Sequence, residues 1–469
     1  MHARHAIDKP AAQHPPPAGW THDSWRDRPH AHGVAYADAT HLARVTERLS
    51  QLPPLVTSWE IERLKDQLAQ VQRGERLVIQ GGDCAETLAD CRPRVITSTL
   101  KILLQMSLVV IHGSRRPVVR VGRFAGQYAK PRSAPTETRE IDGTPCTLPS
   151  YFGDLVNHVD FDERAREPDP EMLLAGYHHA AMTLNFIRSL AGGGFADLHH
   201  ADTWNLKFLT NAGLPEHLRG QYQQTVKEVQ DAIRFAESIG EGHLGELGRV
   251  EFFASHEGLN LEYESAQTRT VPRREGHYCL TTHLPWIGER TRDIAGAHVE
   301  FFRGIRNPVG VKLGPKTAPE DATELIRTLN PSREPGKIVL ITRMGATNLD
   351  ALPALLAAVE RSGQPVAWLC DPMHGNGERS PDGIKTRRFD AIVRELEATI
   401  DAHRRAGTHL GGVHVELTGD DVTEVVGGAS GVTHETLSEN YATACDPRLN
   451  YAQALELAFI LARALGQNG

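Results

Sequence analysis

Residues 309–370 of this 469-residue chain read VGVKLGPKTAPEDATELIRTLNPSREPGKIVLITRMGATNLDALPALLAAVERSGQPVAWLC. Short apolar runs alternate here with longer stretches that have helical spacing. The predicted strands are 309–313, 338–342 and 366–370, and the predicted helices are 318–328 and 348–361. Strands that alternate with helices form a parallel sheet, because each helix returns the chain to the same end of the sheet. This stretch therefore predicts an α/β fold.

The same alternation extends outward from this stretch in both directions. Five further apolar or β-branched runs complete a set of eight predicted strands: 77–80, 117–121, 250–254, 279–283 and 412–416. Eight strand–helix units favour a closed (β/α)8 TIM barrel. The count is approximate, because 195–199 is a candidate ninth strand and the interval 130–249 must hold extra helices.

Both an N-terminal extension and an insert are expected outside the barrel. Residues 1 to about 50 are rich in His, Pro and Arg, and they predict an irregular arm. Residues 58–72 predict a helix that Ser58 caps and Gly74 ends. We therefore expect an extension over residues 1–75 and a barrel over 76–469, with a helical insert near 200–240.

Charge and composition exclude some classes of function. The 51 Lys and Arg against 59 Asp and Glu give a net charge of -8, whereas a nucleic-acid partner requires basic patches. No apolar run approaches the ~18 residues of a membrane span, and the start of the chain lacks the apolar core of a secretory signal. Six cysteines without a CxxC pair favour a reducing, cytoplasmic compartment. We expect neither nucleic acid nor a membrane as a partner.

Cations recur just after the predicted strands. In a barrel all these strand ends lie on one face, which carries the catalytic residues. The six cations are Arg123, Lys130, Arg132, Arg290, Lys312 and Arg343. Guanidinium forks and ammonium groups suit phosphate and carboxylate oxygens, so the set predicts a ligand with more than one anionic group. The alternative for any single one is a surface or ion-paired cation.

Four further side chains have the chemistry of metal ligands. They are Cys84, His374, Glu416 and Asp446, each after a predicted strand or in a turn bounded by Gly or Pro. A thiolate, an imidazole and two carboxylates suit a labile divalent ion such as Mn²⁺, Fe²⁺, Co²⁺ or Zn²⁺ with open positions for substrate. The alternative is that each is structural. We expect His414, on the same strand as Glu416, to point to the opposite face and into packing.

Nine ordered blocks carry a resemblance to a known family. They are QGGDCAE (80–86), RFAGQYAKPRS (123–133), ASHE (254–257), WIGERTR (286–292), NPVGVKLGP (307–315), RMG (343–345), CDPMHGN (370–376), VHVELTG (413–419) and ACDPRLN (444–450). On these blocks the chain resembles the type II (class II) 3-deoxy-D-arabino-heptulosonate 7-phosphate (DAHP) synthases. The resemblance implies a transferase that converts phosphoenolpyruvate (PEP), D-erythrose 4-phosphate and water into DAHP and phosphate, the first step of the shikimate pathway to aromatic amino acids.

The resemblance also implies roles for individual residues. PEP is held by Arg123, Glu289, Arg290, Lys312 and Arg343, and erythrose 4-phosphate by Lys130, Arg132 and Ser133. The metal ligands are Cys84, His374, Glu416 and Asp446, and the ion is Mn²⁺ or Co²⁺, with Fe²⁺, Zn²⁺ or Cd²⁺ as alternatives. In the implied mechanism the metal polarises the aldehyde oxygen, PEP carbon 3 attacks the aldehyde carbon, and water adds at PEP carbon 2 before phosphate leaves. Lys312 is then the proton donor to the alkoxide, and Glu289 positions the water.

Partners and control are implied in the same way. The family forms dimers or tetramers, its bacterial members can associate with chorismate mutase, and aromatic amino acids are its usual effectors. The extension over 1–75 and the insert near 200–240 match the places where the family carries assembly and feedback elements. Packing within an oligomer is the alternative role for both.

Three positions depart from the motifs of the family. Phe152 stands in place of Arg in a Ser-Tyr-Arg-Gly-Asp block, Val425 stands in place of Cys in a Thr-Glu-Cys block, and Pro285 precedes the WIGERTR block. These departures leave room for an aminoDAHP synthase or another acceptor variant in secondary metabolism. A non-catalytic regulatory homologue and an unrelated phosphosugar-binding barrel are weaker alternatives, because neither needs the four metal ligands.

One hypothesis concerns redox chemistry. Cys445 adjoins Asp446, so a site that joins Cys84 to Asp446 also brings two thiols together. We expect Cys84 and Cys445 to be able to form a disulfide when metal is absent. A mass-spectrometric map of the metal-free protein in air that finds both thiols free would contradict this.

Overall fold

The structure is a computed structural model that describes residues 17–132, 134–141, 143–193, 215–239 and 251–466. Its main sheet consists of β1 (Leu77–Gly82), β2 (Val118–Arg123), β5 (Phe253–Ala254), β8 (Trp286–Ile287), β9 (Val309–Leu313), β10 (Ile338–Thr342), β11 (Ala367–Cys370) and β14 (Leu410–Glu416). Three antiparallel hairpins lie outside this sheet: β3 (Thr136–Ile141) with β4 (Thr144–Pro149), β6 (Thr268–Thr270) with β7 (His277–Cys279), and β12 (Gly377–Arg379) with β13 (Lys385–Arg387).

Helices connect and cover these strands. In chain order they are α1 (Ala39–Ser50), α2 (Ser58–Gln72), α3 (Pro93–Ser114), α4 (Glu163–Arg166), α5 (Glu171–Gly192), α6 (Glu216–Ile239), α7 (Leu261–Ala266), α8 (Ala297–Phe302), α9 (Pro319–Leu329), α10 (Leu352–Ser362), α11 (Phe389–Ala406) and α12 (Tyr451–Gly466). The helices predicted over 318–328 and 348–361 correspond to α9 and α10.

The main sheet is parallel and curled, and its strands follow one another in chain order. The spatial order is β5-β2-β1-β14-β11-β10-β9-β8. A further parallel bridge joins Glu257 to Trp286, beside the two edge strands. There the backbone N–H of Trp286 donates to the carbonyl of His256 and that of Gly258 to the carbonyl of Trp286, each at 3.0 Å. This connectivity is TIM-barrel-like and confirms the predicted α/β class.

One predicted strand is wrong. The run 279–283 is not in the main sheet, and Trp286–Ile287 takes that place instead. Asn307 explains why, because its side chain accepts from the backbone N–H of Cys279 at 2.9 Å and donates to the Cys279 carbonyl at 2.8 Å. These groups therefore do not pair with a strand of the main sheet, and Cys279 belongs instead to the hairpin β6–β7. The candidate ninth strand, 195–199, lies outside the described residues.

The N-terminal region is more regular than its composition indicates. Helix α1 occupies part of the arm predicted to be irregular, and it begins at Asp38, whose carboxylate accepts from the backbone N–H groups of Thr40 and His41. Val45 and Leu49, one turn apart, are its buried residues. Helix α2 has the predicted bounds, but its cap is Thr57 and not Ser58. Thr57 and Glu60 form a reciprocal capping box.

Helix α2 fills the amino end of the curled sheet. Its Leu64, Leu68 and Val71 are at most 1% exposed and pack with apolar side chains of the sheet strands. Burying an aliphatic side chain contributes about 1.5–3 kcal/mol, so this helix closes the amino end with an apolar plug. Any ligand-binding cavity is left to the carboxyl end.

Helix α3 contradicts the expectation that no apolar run approaches the length of a membrane span. It is long and apolar enough to cross a membrane by length and composition, and 67% of its most apolar window is buried inside the protein. The helix lies along α12 so closely that a Cβ at Gly113 would meet Ala462 Cβ at 2.7 Å. Such burial is typical of a core helix.

Candidate active site

Charged side chains gather where the strands of the main sheet end. Side chains alternate across a strand, so every second residue faces the inside of a curled sheet. The inward positions are apolar first and charged last: Val119, Val121 and Arg123 on β2; Val339, Ile341 and Arg343 on β10; Ala367, Leu369 and Asp371 on β11. Lys312 and Glu416 end the corresponding series on β9 and β14. The fold therefore collects these charges at the carboxyl end.

A cavity of about 160 Å³ opens between them. Most of the predicted PEP and metal residues face it, together with Trp286 and Glu257 from the bridged strands. The predicted site residues that line it are Arg123, Lys130, Glu289, Arg290, Lys312, Arg343, His374 and Asp446. Its shape and charge suit a small, multiply charged anion.

The four predicted metal ligands come together at one side of this cavity. Potential ligand atoms of His374, Glu416 and Asp446 lie within 4.8 Å of one another, and those of Cys84, Cys445 and Asp446 form a second such group. His374 Nε2 is 3.0 Å from Glu416 Oε1, and Cys84 Sγ is 3.6 Å from Asp446 Oδ2. One imidazole, two carboxylates and a thiol fit a divalent transition-metal ion. The ligand set predicted from distant blocks thus has the proximity that an ion requires.

Glu416 lies at the centre of a buried charge cluster. Its carboxylate is 3.1 Å from Arg123 Nη2 and 2.8 Å from Arg387 Nη1. Burial by itself would raise the pKa of Glu416, but His374, Arg387 and Arg123 outweigh burial and hold it well below the ordinary value. Glu416 is therefore an anion throughout the physiological pH range, as metal binding at this position would require.

The expectation for His414 is wrong. Residues two apart on a strand share a face, so His414 points inward with Glu416. Its Nε2 accepts a hydrogen bond from Arg123 Nη1 at 2.6 Å, and its ring packs edge-on against Trp286 at 5.1 Å. Burial, together with Lys312 and Arg123, holds the pKa of His414 well below its ordinary value. The neutral ring orients Arg123 toward the cavity.

Lys312 and His374 share one carboxylate. Lys312 Nζ pairs with Asp371 Oδ2, the same oxygen that lies 2.7 Å from His374 Nδ1. Burial lowers the pKa of Lys312 to about 8, although Asp371 opposes this shift. A lysine in this range exchanges its proton near neutral pH, which suits a proton donor. Asp371 also fixes the ring of His374, so that Nε2 faces Glu416.

The loop after β2 places Lys130 against Cys84, one of the predicted metal ligands. Lys130 Nζ lies 3.1 Å from Cys84 Sγ and donates to the Cys84 carbonyl at 2.8 Å. Glu86 anchors this loop, because its carboxylate accepts from three successive backbone N–H groups, of Ala125, Gly126 and Gln127, at 2.8–2.9 Å. Burial raises the pKa of Glu86 to about 7, although these three hydrogen bonds act in the opposite direction and lower it.

The remaining predicted residues lie at the rim. Glu289 Oε1 is 3.2 Å from Arg292 Nη2, whereas Glu289 Oε2 is buried without a hydrogen-bond partner among the described residues. Arg290 Nη1 donates to the carbonyl of Pro131 at 3.1 Å. Arg132 is not among the residues lining the cavity, and its Nη2 lies 3.9 Å from Glu137. Ser133 lies outside the described residues.

Comparison with known proteins identifies the family. The sequence model of the class-II DAHP synthetase family matches residues 20–462. A Neurospora crassa protein named phospho-2-dehydro-3-deoxyheptonate aldolase is 47% identical over 461 residues, which cover 95% of this chain and 94% of that protein. A Streptomyces coelicolor protein of the same name is 48% identical over 441 residues, which cover 94% and 96% of the two chains.

This chain belongs to the class-II DAHP synthetase family. The resemblance inferred from nine sequence blocks is thereby confirmed.

Two site residues of this family member were not singled out as ligands or binding residues from the sequence. Arg387 comes from the outlying hairpin strand β13 and reaches Glu416 and the carbonyl of Pro447. Asp371 ends the inward series of β11 and joins Lys312 to His374. Asp371 has a sequence signal, since it ends an apolar run. Arg387 has no sequence signal of its own, because its local sequence is also typical of a basic hairpin that is exposed to solvent.

Each of the three departures from the family motifs accepts a hydrogen bond at its backbone carbonyl, and the Val425 side chain is also buried in the hydrophobic core. The carbonyl of Phe152 accepts from the backbone N–H of Lys130 at 2.8 Å. The carbonyl of Pro285 accepts from the N–H of Gly310 at 2.9 Å, and that of Val425 from Gln453 Nε2 at 2.8 Å. Phe152 is the departure nearest to a predicted substrate residue.

Proposed function

We propose that this chain condenses PEP with D-erythrose 4-phosphate and water to give DAHP and phosphate, the first step of the shikimate pathway. The observation that carries the proposal is the cavity at the strand ends, where Arg123, Lys312 and Arg343 face the cluster of His374, Glu416 and Asp446. The names of the curated relatives support the same activity.

The cations of the cavity bind PEP. Its carboxylate and phosphate need several positive charges, and Arg123, Arg290, Lys312 and Arg343 line the cavity from four different segments. Planar guanidinium forks pair with such oxygens by two hydrogen bonds, and this fixes orientation as well as charge. Arg343 is itself held by its 2.7 Å hydrogen bond to the carbonyl of His374.

We assign proton transfer to Lys312. In its charged form Lys312 Nζ donates a proton to the alkoxide that forms as the new carbon–carbon bond closes, and Asp371 holds the ammonium in place. Glu289 Oε2 is buried and has no hydrogen-bond partner among the described residues, so it can accept a hydrogen bond from a water molecule. We therefore assign Glu289 to orient the attacking water. Trp286 closes one wall of the cavity and limits bulk water.

Cys84, His374, Glu416 and Asp446 would hold a divalent ion, for which we propose Mn²⁺ or Co²⁺. Such an ion supplies Lewis-acid polarisation of the aldehyde oxygen when it is bound. Lys130, beside Cys84, then lies at the aldehyde end of the acceptor. Arg132 and Ser133 are proposed for the acceptor phosphate at the other end.

A second candidate is an aminoDAHP synthase, in which the acceptor is imino-erythrose 4-phosphate. The observation that favours it is Phe152, an apolar ring next to Lys130 where the family motif has a basic residue. The rest of the site is common to both reactions.

The elements outside the sheet are proposed for assembly and control. We assign α1 to an N-terminal extension and α6 to the helical insert, both serving a homodimer or tetramer, with an aromatic amino acid as effector and chorismate mutase as a further partner. We propose a cytoplasmic location, which the six free cysteines support.

The test is a coupled metal and acceptor assay. Metal-stripped protein receives Mn²⁺ or Co²⁺ and PEP, and PEP loss and phosphate release are followed with each acceptor. Turnover with erythrose 4-phosphate that requires metal supports the main proposal, and turnover with the imino acceptor alone supports the second. The His374→Ala variant should be inactive, whereas His409→Ala, at an exposed position, should match the wild type. Folded, metal-loaded protein that turns over neither acceptor would overturn both.

A further inference from the structure

An extended segment of the N-terminal arm lies beside the loop that carries Lys130. We call residues 29–36 the strap. Every second side chain of the strap is turned inward and partly buried: His30, His32, Val34 and Tyr36. The residues between them are exposed, and such alternation is typical of an extended chain with one face on the protein.

The strap is anchored on both sides of His32. Before His32, the carbonyl of Pro29 accepts from the backbone N–H of Ala297 at 2.9 Å, and after it, the hydroxyl of Tyr36 accepts from Asn260 Nδ2 at 3.1 Å. Between these anchors His32 has a left-handed backbone, with a φ of 55°. A non-glycine residue in that region is strained and persists only where its surroundings enforce it. The anchors therefore hold His32 in one place.

A small cavity of about 40 Å³ lies between the strap and the loop that carries Lys130. His30, His32 and Val34 line it from the strap, and Lys130 and Phe152 line it from the other side. Lys130 also lines the active-site cavity, so the two cavities share this residue as a wall. The strap is thus separated from the active-site cavity by the loop that is assigned to the acceptor.

His32 lies near the rim of the active-site cavity. Burial and the charge of Arg290 lower the pKa of His32 below its ordinary value, and Glu257 opposes this shift. Both Arg290 and Glu257 line the active-site cavity, and their effect requires them to be close to His32. The His32 ring makes no hydrogen bond to another residue in the described part of the chain. Because an imidazole has an N–H donor in its neutral and in its charged form, His32 keeps a donor for a ligand.

The same part of the rim carries guanidinium groups assigned to the substrates. Arg290 Nη1 donates to the carbonyl of Pro131 at 3.1 Å, and Pro131 directly precedes Arg132, which is assigned to the acceptor phosphate. A phosphate has several acceptor oxygens and forms strong hydrogen bonds with charged donors. A phosphate bound here would leave oxygens for a further donor.

We propose that His32 is a further acceptor-binding residue, whose ring N–H donates a hydrogen bond to the acceptor phosphate beside Arg290 and Arg132. The inference rests on the proposed function, because that function supplies the acceptor. It gives the strap a role in substrate binding that is separate from any role of the arm in assembly.

Two variants separate the ring from the backbone of His32. Both His32→Gly and His32→Asn tolerate a left-handed backbone, but only Asn keeps a side-chain donor. Calorimetric titration of the metal-loaded full-length chain with erythrose 4-phosphate, without PEP, measures binding in the absence of turnover. We expect the dissociation constant to rise about tenfold in His32→Gly and to stay within threefold of the wild type in His32→Asn. Affinity for PEP should stay within twofold in both.

Ala31→Gly is the matched control, because it adds the same backbone freedom at an exposed position of the strap. It should bind both substrates as the wild type does. The proposal is overturned by wild-type affinity in His32→Gly, by equal losses for PEP and acceptor, or by equal losses in His32→Gly and His32→Asn. Circular dichroism confirms that each variant is folded. Failure of the proposed function would look different, since the wild type would then bind erythrose 4-phosphate without condensing it with PEP.

Discussion

Among the described residues, buried charges occur at both ends of the curled sheet, and those at the carboxyl end face a cavity. At the amino end, Lys65 Nζ lies 2.7 Å from Glu62 and 2.8 Å from Glu334, and Arg306 lies 2.8 Å from Glu334. Lys337 Nζ donates to two backbone carbonyls at 2.5 Å. At the carboxyl end, the cations border a cavity instead.

The comparison shows that burial of charge is not in itself a mark of function. The amino-end cations are satisfied within the protein, under the apolar plug of α2, so their role is to hold the base of the sheet. The carboxyl-end cations keep capacity for an anion that is not part of the chain. Removing a cation should therefore lower stability at the amino end and weaken substrate binding at the carboxyl end.

The largest expected effect is on activity, from Lys312→Met. This substitution removes the proposed proton donor and one charge from the PEP site, and we expect kcat/KM for PEP to fall by about 10²–10⁴-fold. Steady-state kinetics with the metal-loaded enzyme measures it. Lys316→Met, an exposed position four residues further on, is the control and should stay within twofold of the wild type. Equal losses in both variants would contradict the assignment.

At the opposite end, Lys65→Met should affect stability and not chemistry. It leaves the partly buried carboxylates of Glu62 and Glu334 with one cation fewer, which costs about 1–3 kcal/mol of unfolding free energy. Urea unfolding measures the loss, and kcat per folded molecule should be unchanged. The double variant Lys65→Met/Glu334→Gln should recover part of the stability. A fall in kcat without a loss of stability would break the distinction between the two ends.

The pH dependence of PEP use sharpens the comparison further. Burial lowers the pKa of Lys312 to about 8, so the ammonium is present below that pH and is lost above it. Since an anionic substrate requires the charged form, log kcat/KM for PEP should fall by about one unit per pH unit above pH 8. Lys312→Arg should move this decline out of the measured range. A decline at the same pH in Lys312→Arg would assign it to another group.

A smaller loss is expected from Glu86→Gln. The amide replaces one acceptor of the three loop N–H groups with a donor, so the loop that carries Lys130 shifts without losing its fold. We expect about a tenfold fall in kcat and a higher KM for the acceptor, because small misplacements of binding groups slow catalysis. Asp90→Asn, which alters a nearby helical turn, is the control. A change in stability with normal kinetics would assign Glu86 to structure alone.

Many of the charged residues at the carboxyl end could be predicted from the sequence, because they lie at the ends of apolar strands. The order Val339, Ile341, Arg343 shows an inward series that becomes charged at the strand end, and the same applies to β2 and β9. The sequence pattern pointed to Cys84, His374, Glu416 and Asp446 as a candidate metal set, and the structure brings these four side chains close together. Their proximity follows from the curled sheet, which makes distant blocks neighbours.

Other features could not be read from local patterns. Residues 279–283 mix apolar and polar side chains, and Cys279 pairs in the hairpin β6–β7 and bonds to Asn307, whereas Trp286–Ile287 joins the sheet. Neither long-range contact of Cys279 has a local sequence signal. Arg387 reaches Glu416 through a hairpin outside the sheet, a long-range contact without local periodicity. His414 is a different case, because alternation along the strand already places it on the same face as Glu416.

The smallest expected effect comes from the cap of α2. Thr57→Ala removes the side-chain acceptor of the Glu60 N–H, which costs about 1 kcal/mol in helix stability. Because α2 plugs the amino end, the loss should appear as a lower urea midpoint with unchanged kcat and KM. Thr57→Ser keeps the hydroxyl and should restore stability. A kinetic change in Thr57→Ala would mean that the plug and the catalytic face are coupled through the sheet, and the two ends would then not be independent.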